Sequence, residues 1–158
     1  MGSWIVVLVA LSLMGSVFWV MPSTRDRLRM RLRQRAMAMG LKVRLPDQSL
    51  KERLIRYEDL ILGSMMYECL NFSHQAVKFS GGLYVLKGQD DSWAFVEESI
   101  PFGIDKDMVL SAAQSLPMSC RLLVLTSNSA FVFWDERGDE KDVDMIQSEL
   151  ERVNMCLS

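Results

Sequence analysis

Arg121–Trp134 reads RLLVLTSNSAFVFW. Two apolar runs, Arg121–Thr126 and Ala130–Trp134, flank the polar triplet Ser127-Asn128-Ser129. Runs rich in β-branched and aromatic residues around a short Ser/Asn turn predict a β-hairpin. Downstream, Asp139, Glu140, Asp142 and Asp144 favour a helix N-terminus, where the aligned peptide dipoles attract negative charge. Val143, Ile146, Leu150, Val153 and Leu157 then recur at spacings of three and four. The stripe matches two heptads, short of the three or four that indicate a coiled coil, so this helix is expected to pack on the sheet.

The same order stands upstream. Val77–Phe79 and Leu83–Leu86 flank Ser80-Gly81-Gly82, and Leu83–Leu86 is joined to Trp93–Val96 by the polar loop Lys87–Ser92. After Pro101-Phe102-Gly103, Asp105 is placed to cap a helix from Lys106 to about Ser115, with Met108, Val109, Ala112, Ala113 and Leu116 apolar. Strand, strand, helix, twice over, predicts an α+β domain. Its expected form is a small antiparallel sheet of two ββα-like units with helices on one face, which buries both helical stripes.

Before these units, Leu41–Leu45 alternates as a short strand does and Pro46-Asp47 ends it. Ser49 with Glu52 forms a capping-box pattern, and Leu50, Leu54, Tyr57, Ile61 and Met65 line up at helical spacing. Leu60–Leu70 is apolar on nearly all sides apart from Glu68 and is too short to span a bilayer, so a buried helix is expected there.

At the N-terminus, Trp4–Met21 carries no charge. Eighteen residues at a rise of about 1.5 Å give roughly 27 Å, close to a hydrocarbon thickness of about 30 Å. Trp4 and Trp19 stand at its ends as interfacial anchors, and Ser12, Gly15 and Ser16 offer a small-residue surface to another helix. This predicts a transmembrane anchor over residues 1–22. A cleavable leader is disfavoured by the bulky Phe18–Met21.

Arg25, Arg27, Arg29, Arg31, Arg33 and Arg35 follow at once. Ser23 with Asp26 resembles a capping box, Gly40 suits a helix end, and Leu28, Leu32, Ala36 and Met39 form one stripe, so residues 23–47 are expected to hold a basic juxtamembrane helix and linker. Basic residues beside a span stay cytoplasmic, which predicts a single-pass protein with its domain inside; in a bacterium this is an inner-membrane protein. Its N-terminus would be periplasmic and its domain, residues 48–158, cytoplasmic. The six arginines are expected to contact anionic lipid headgroups, ahead of nucleic acid because of their position.

Charge is divided along the chain. Pro22–Arg56 holds eleven Lys/Arg against three acids, and Tyr57–Ser158 seven against seventeen. The three cysteines, Cys69, Cys120 and Cys156, are scattered, which suits free thiols. His74 is the only histidine; Cys69-x4-His74 lacks a second pair for zinc. No G-x-S-x-G elbow or phosphate-binding glycine loop is present. The pairs Glu97/Glu98 and Asp90/Asp91 are adjacent and so point apart on a strand. Met37/Met39 and Met65/Met66 are soft donors that read as packing residues. Asp135–Asp144 reads as a solvated loop and helix start.

Gly15-Ser16-Val17-Phe18-Trp19, Pro22-Ser23-x-Arg25-Asp26 and Phe133-Trp134-Asp135-Glu136-Arg137-Gly138 resemble a loosely defined set of small, uncharacterised, membrane-anchored gammaproteobacterial proteins. The resemblance implies an inner-membrane location and carries no functional residues. The expected function is a non-enzymatic accessory or adaptor protein that presents its domain to a protein partner, with no cofactor and no small-molecule substrate. The alternatives are a small enzyme using His74 or carboxylates, and an anionic-lipid sensor acting through Arg25–Arg35.

Overall fold

The computed structural model describes residues 3–20, 23–70, 79, 81–96 and 100–156, with backbone only at 13–20, 49, 53, 58, 60 and 156. It divides into two compact units, Met1–Arg31 and Leu32–Ser158.

The first unit holds helix α1 (Ser3–Val20) and the beginning of α2 (Thr24–Ala38). Ser23 opens α2 as expected. Its hydroxyl accepts from the Asp26 amide at 3.2 Å, and the Asp26 carboxylate accepts from the Ser23 amide at 3.3 Å. Two amide donors at the helix start are thereby satisfied reciprocally.

The anchor expectation is corrected. Among the described residues no helix is long and apolar enough to cross a membrane. The side chains of α1 are described over residues 3–12. The transmembrane helix is therefore not supported, nor is the single-pass inner-membrane location with a periplasmic N-terminus and a cytoplasmic domain. What stands there is an apolar helix whose Trp4, Ile5, Val6, Leu8 and Leu11 are exposed.

In the second unit α2 ends at Gly40, where φ is +88°. The Leu41 amide donates to the Ala36 carbonyl at 3.0 Å and the Gly40 amide to Met37 at 3.1 Å. This pair of bonds closes the last turn and needs a left-handed residue, which glycine adopts without a Cβ clash. The chain then enters β1 (Lys42–Arg44).

The domain is α+β, built on a six-stranded antiparallel sheet. Its strands are β1, β2 (Met65–Leu70), β3 (Leu83–Lys87), β4 (Trp93–Phe95), β5 (Cys120–Leu125) and β6 (Ser129–Trp134), in the order β1-β2-β6-β5-β3-β4. The β5–β6 hairpin turns where the sequence predicts. Thr126 Oγ1 accepts from the amides of Asn128 and Ser129 at 3.4 and 3.1 Å. The β3–β4 hairpin and both following helices, α5 (Lys106–Ser115) and α6 (Glu140–Cys156), also follow the expected order. Asp105 caps α5 by accepting from the amides of Asp107 and Met108, both at 3.1 Å. The expected strand at Val77–Phe79 lies largely outside the described residues.

The expectation of helices on one face is corrected. Register places Tyr67, Val132, Leu123 and Val85 in one row. By strand alternation this row shares the face covered by α5 and α6. The stripe Val143, Ile146, Leu150 and Val153 of α6 is fully buried. The opposite row, Met66, Phe133 and Leu122 with Phe131 and Val124, packs under Leu54 and Ile61. Those two come from a second cover: α3 (Gln48–Arg53), a 3-10 turn at Ile55–Tyr57, and α4 (Glu58–Ile61). Every residue of β6 is buried because both faces are covered.

Two local expectations also change. Asp47, not Ser49, caps α3, its carboxylate accepting from the Leu50 amide at 2.8 Å. The buried helix expected over Leu60–Leu70 is a helix end followed by β2. Gly63 sits at φ +75° and breaks the helix, and residues 65–70 pair one for one with β6.

Leu54 is buried under this second cover and Ile55 beside it is exposed. Leu54→Ala should destabilise the protein by about 2–5 kcal/mol, and Ile55→Ala by under about 0.5 kcal/mol. Denaturant unfolding of the two variants measures the difference; equal effects would mean that the second cover does not close the core.

Candidate functional site

The best-developed polar arrangement joins α2, β2, the loop after β6 and α6. Leu32 and Ala36 of α2 are completely buried and seat the second half of that helix on the domain. At about 100° per residue, Arg33 and Arg35 project roughly 80° to either side of that stripe. Each finds carboxylates on its own side.

On one side, Arg33 grips Glu136 in a bidentate pair, Nε to Oε1 at 2.6 Å and Nη2 to Oε2 at 2.7 Å. The Tyr67 hydroxyl donates to Glu136 Oε1 at 2.9 Å. The Glu136 side chain is 3% exposed and that of Arg33 35%, so the carboxylate is desolvated while its guanidinium partner keeps an edge in water. Burial first, then the Glu136 carboxylate, push the Tyr67 phenol far above its ordinary range, so it serves only as a donor. The hydrogen bonds to Glu136, opposed by partial burial, raise the Arg33 guanidinium further. The Tyr67 ring meets Trp134 edge-on at 5.3 Å between centroids, and Trp134 Nε1 donates to Ser119 Oγ at 2.6 Å.

Glu136 has φ +59°. A residue with a Cβ is held there at a cost of about 1–2 kcal/mol, and here the bidentate pair and the Tyr67 bond hold it. On the other side, Arg35 makes a bidentate pair with Asp144, at 2.6 and 2.7 Å, and reaches Glu140 at 3.3 Å. The Arg35 hydrogen bond holds the Asp144 carboxyl below its ordinary value of 3.8.

The arginine row is therefore not uniform. Arg33 and Arg35 are engaged inside the protein, Arg25, Arg27 and Arg31 are exposed, and Arg29 is partly buried. Trp4 is 81% exposed and Ser12 is exposed; the side chains of Gly15, Ser16 and Trp19 lie outside the described residues, as do His74, Glu97 and Glu98. Asp90 accepts from Ser92 Oγ at 2.7 Å and Asp91 pairs with Lys87 at 3.0 Å, so both serve the β3–β4 turn. Met65 and Met66 alternate on β2, while Met37 is exposed and Met39 partly buried. Cys69 and Cys120 are free thiols; burial raises both, Cys120 the more.

Among the described residues no group of three or more His, Cys, Asp or Glu is placed to hold a metal. The solvated loop expected over Asp135–Asp144 is corrected at Glu136, which is buried. Sequence reasoning missed Glu136 as a site. The available signal was the flanking of Leu32 and Ala36 by arginines, which calls for two sets of acids on the surface that receives the stripe.

Glu136→Ala removes the carboxylate and keeps a Cβ at positive φ; Glu136→Gly removes the carboxylate and relieves the backbone. The alanine variant should be less stable than the glycine variant by about 1 kcal/mol in denaturant unfolding. Equal stabilities would mean that the backbone at this position is not strained. The depressed Asp144 carboxyl contributes stability at and above its ordinary 3.8 that is lost as pH falls through its lowered value. Asp144→Asn should therefore lessen the acid-side slope of stability against pH, read by thermal melts below pH 5.

No protein-family model and no curated protein matches the chain. A solved structure to which it is similar is the crystal structure of the mycobacterial trehalose monomycolate transport factor A, TtfA, at 11% identity and a TM-score of 0.48, covering 82% of this chain and 94% of that one. At that TM-score the likeness carries no argument about this chain.

Proposed function

We propose that the chain is a non-enzymatic accessory or adaptor protein that presents its α+β domain to a protein partner. The observation that carries this reading is α1. Trp4, Ile5, Val6, Val7, Leu8, Val9 and Leu11 are each more than half exposed and point all round the helix. A helix apolar on every side is stable in water only when something covers it, and contiguous exposed apolar surface marks an interaction site. The polar groups of the domain fit the same reading. Glu136, Arg33 and Tyr67 spend their hydrogen bonds on one another, which suits holding a shape more than acting on a substrate.

The test is native mass measurement of the tagged full-length chain after gentle extraction, beside a Leu8→Asp/Leu11→Asp variant. The wild type should carry a protein partner in fixed stoichiometry. The variant should lose it with the melting temperature of the domain unchanged. A monomer in both cases, or binding to protein-free lipid vesicles with the same dependence on Leu8 and Leu11, would overturn the protein-partner reading.

A further inference from the structure

We propose that the second half of α2 is a strap that unclasps from the domain as a unit while the six-stranded sheet stays folded. The inference stands on the geometry of this unit and does not rest on the partner proposed above.

The strap's hold is narrow. Leu32 and Ala36 are the buried residues of α2, and Leu41 follows them into the core just past the helix end. Beside them stand side-chain ion pairs and the Tyr67 hydroxyl. Arg33 and Arg35 come from the strap, Tyr67 from β2, Glu136 from the loop after β6, and Glu140 and Asp144 from α6. The sheet beneath is held differently. β2 and β6 pair over six residues and β5 and β6 over five, with apolar rows on both faces. Segments with few buried apolar contacts open at lower free energy than paired core strands.

The strap also has a pivot. Gly40 is a left-handed glycine with nothing within 4 Å of where a Cβ would stand, so the backbone there turns in open space. The two clasps differ in kind. The Arg35 and Asp144 side chains are 41% and 40% exposed, so salt screens that pair. Glu136 is desolvated, and its pair with Arg33 resists salt. Release of both uncovers the Glu136 carboxylate and the Tyr67 hydroxyl together, and lets Glu136 leave its positive φ. The link between the basic N-terminal segment and the acidic domain is then a coupling with two states.

Native-state amide hydrogen exchange on the full chain tests this. The amides of Leu32–Ala38 should exchange at least about tenfold faster than those of β5 and β6, with weak dependence on denaturant, as a sub-global opening does. Arg35→Gln should accelerate the strap amides by roughly tenfold and leave β5 and β6 unchanged. Arg33→Gln should act in the same direction and more strongly. If that variant does not fold, the exposed Arg35 clasp still decides. Exchange of strap and sheet at one common free energy, or an Arg35→Gln effect shared equally by both, would overturn the proposal.

Discussion

Strands β5 and β6 bury side chains to both faces, and that constraint organises the domain. Leu122, Leu123, Val124 and Leu125 run without a polar interruption, as do Ala130, Phe131, Val132, Phe133 and Trp134. Such strands cannot leave a face to water, so the sheet requires a layer on each side. α5 and α6 supply one, through the stripe from Val143 to Val153. The short helices between Gln48 and Ile61 supply the other, through Leu54 and Ile61. The second cover looks irregular, yet it buries the apolar face that α5 and α6 do not reach.

Electrostatics then determines what can attach to that core. A chain whose basic residues precede its acidic ones brings the two into contact wherever the fold allows. Here they meet at the second half of α2. The buried Glu136 is tolerable because Arg33 matches it in the fork geometry that a guanidinium offers a carboxylate, and Tyr67 satisfies a further lone pair. Arg35 with Asp144 adds a second, wetter contact on the opposite flank. An arginine row that reads as one uniform surface is divided by packing into a structural pair, a partly buried Arg29 and an exposed remainder.

Much of this was legible beforehand, and the misses have physical causes. The two hairpins, the caps at Ser23 and Asp105, the Gly40 helix end and the α6 stripe rest on local rules, and they stand where those rules put them. Residues 65–70 read as helix because a short apolar run has no period to separate helix from buried strand; Gly63 was the missed breaker. The second sheet cover was announced by the unbroken apolar strands themselves, a signal about layers that goes unread when attention is on helices alone. The N-terminal apolar run was read by length and hydropathy as a span, which the described part of α1 does not support. Glu136 was invisible for another reason. Nothing local marks an acid as buried when its partner lies 103 residues away.

That separation has a consequence for how this protein can change over generations. Arg33 and Glu136 meet only in the folded state; loss of Arg33 alone strands a buried carboxylate, whereas loss of Glu136 leaves an arginine that keeps an edge in water. A single-step drift at position 33 is therefore the more disfavoured of the two. The two positions are thus coupled unequally: exchange that starts at 136 meets the smaller cost, and exchange that starts at 33 the larger.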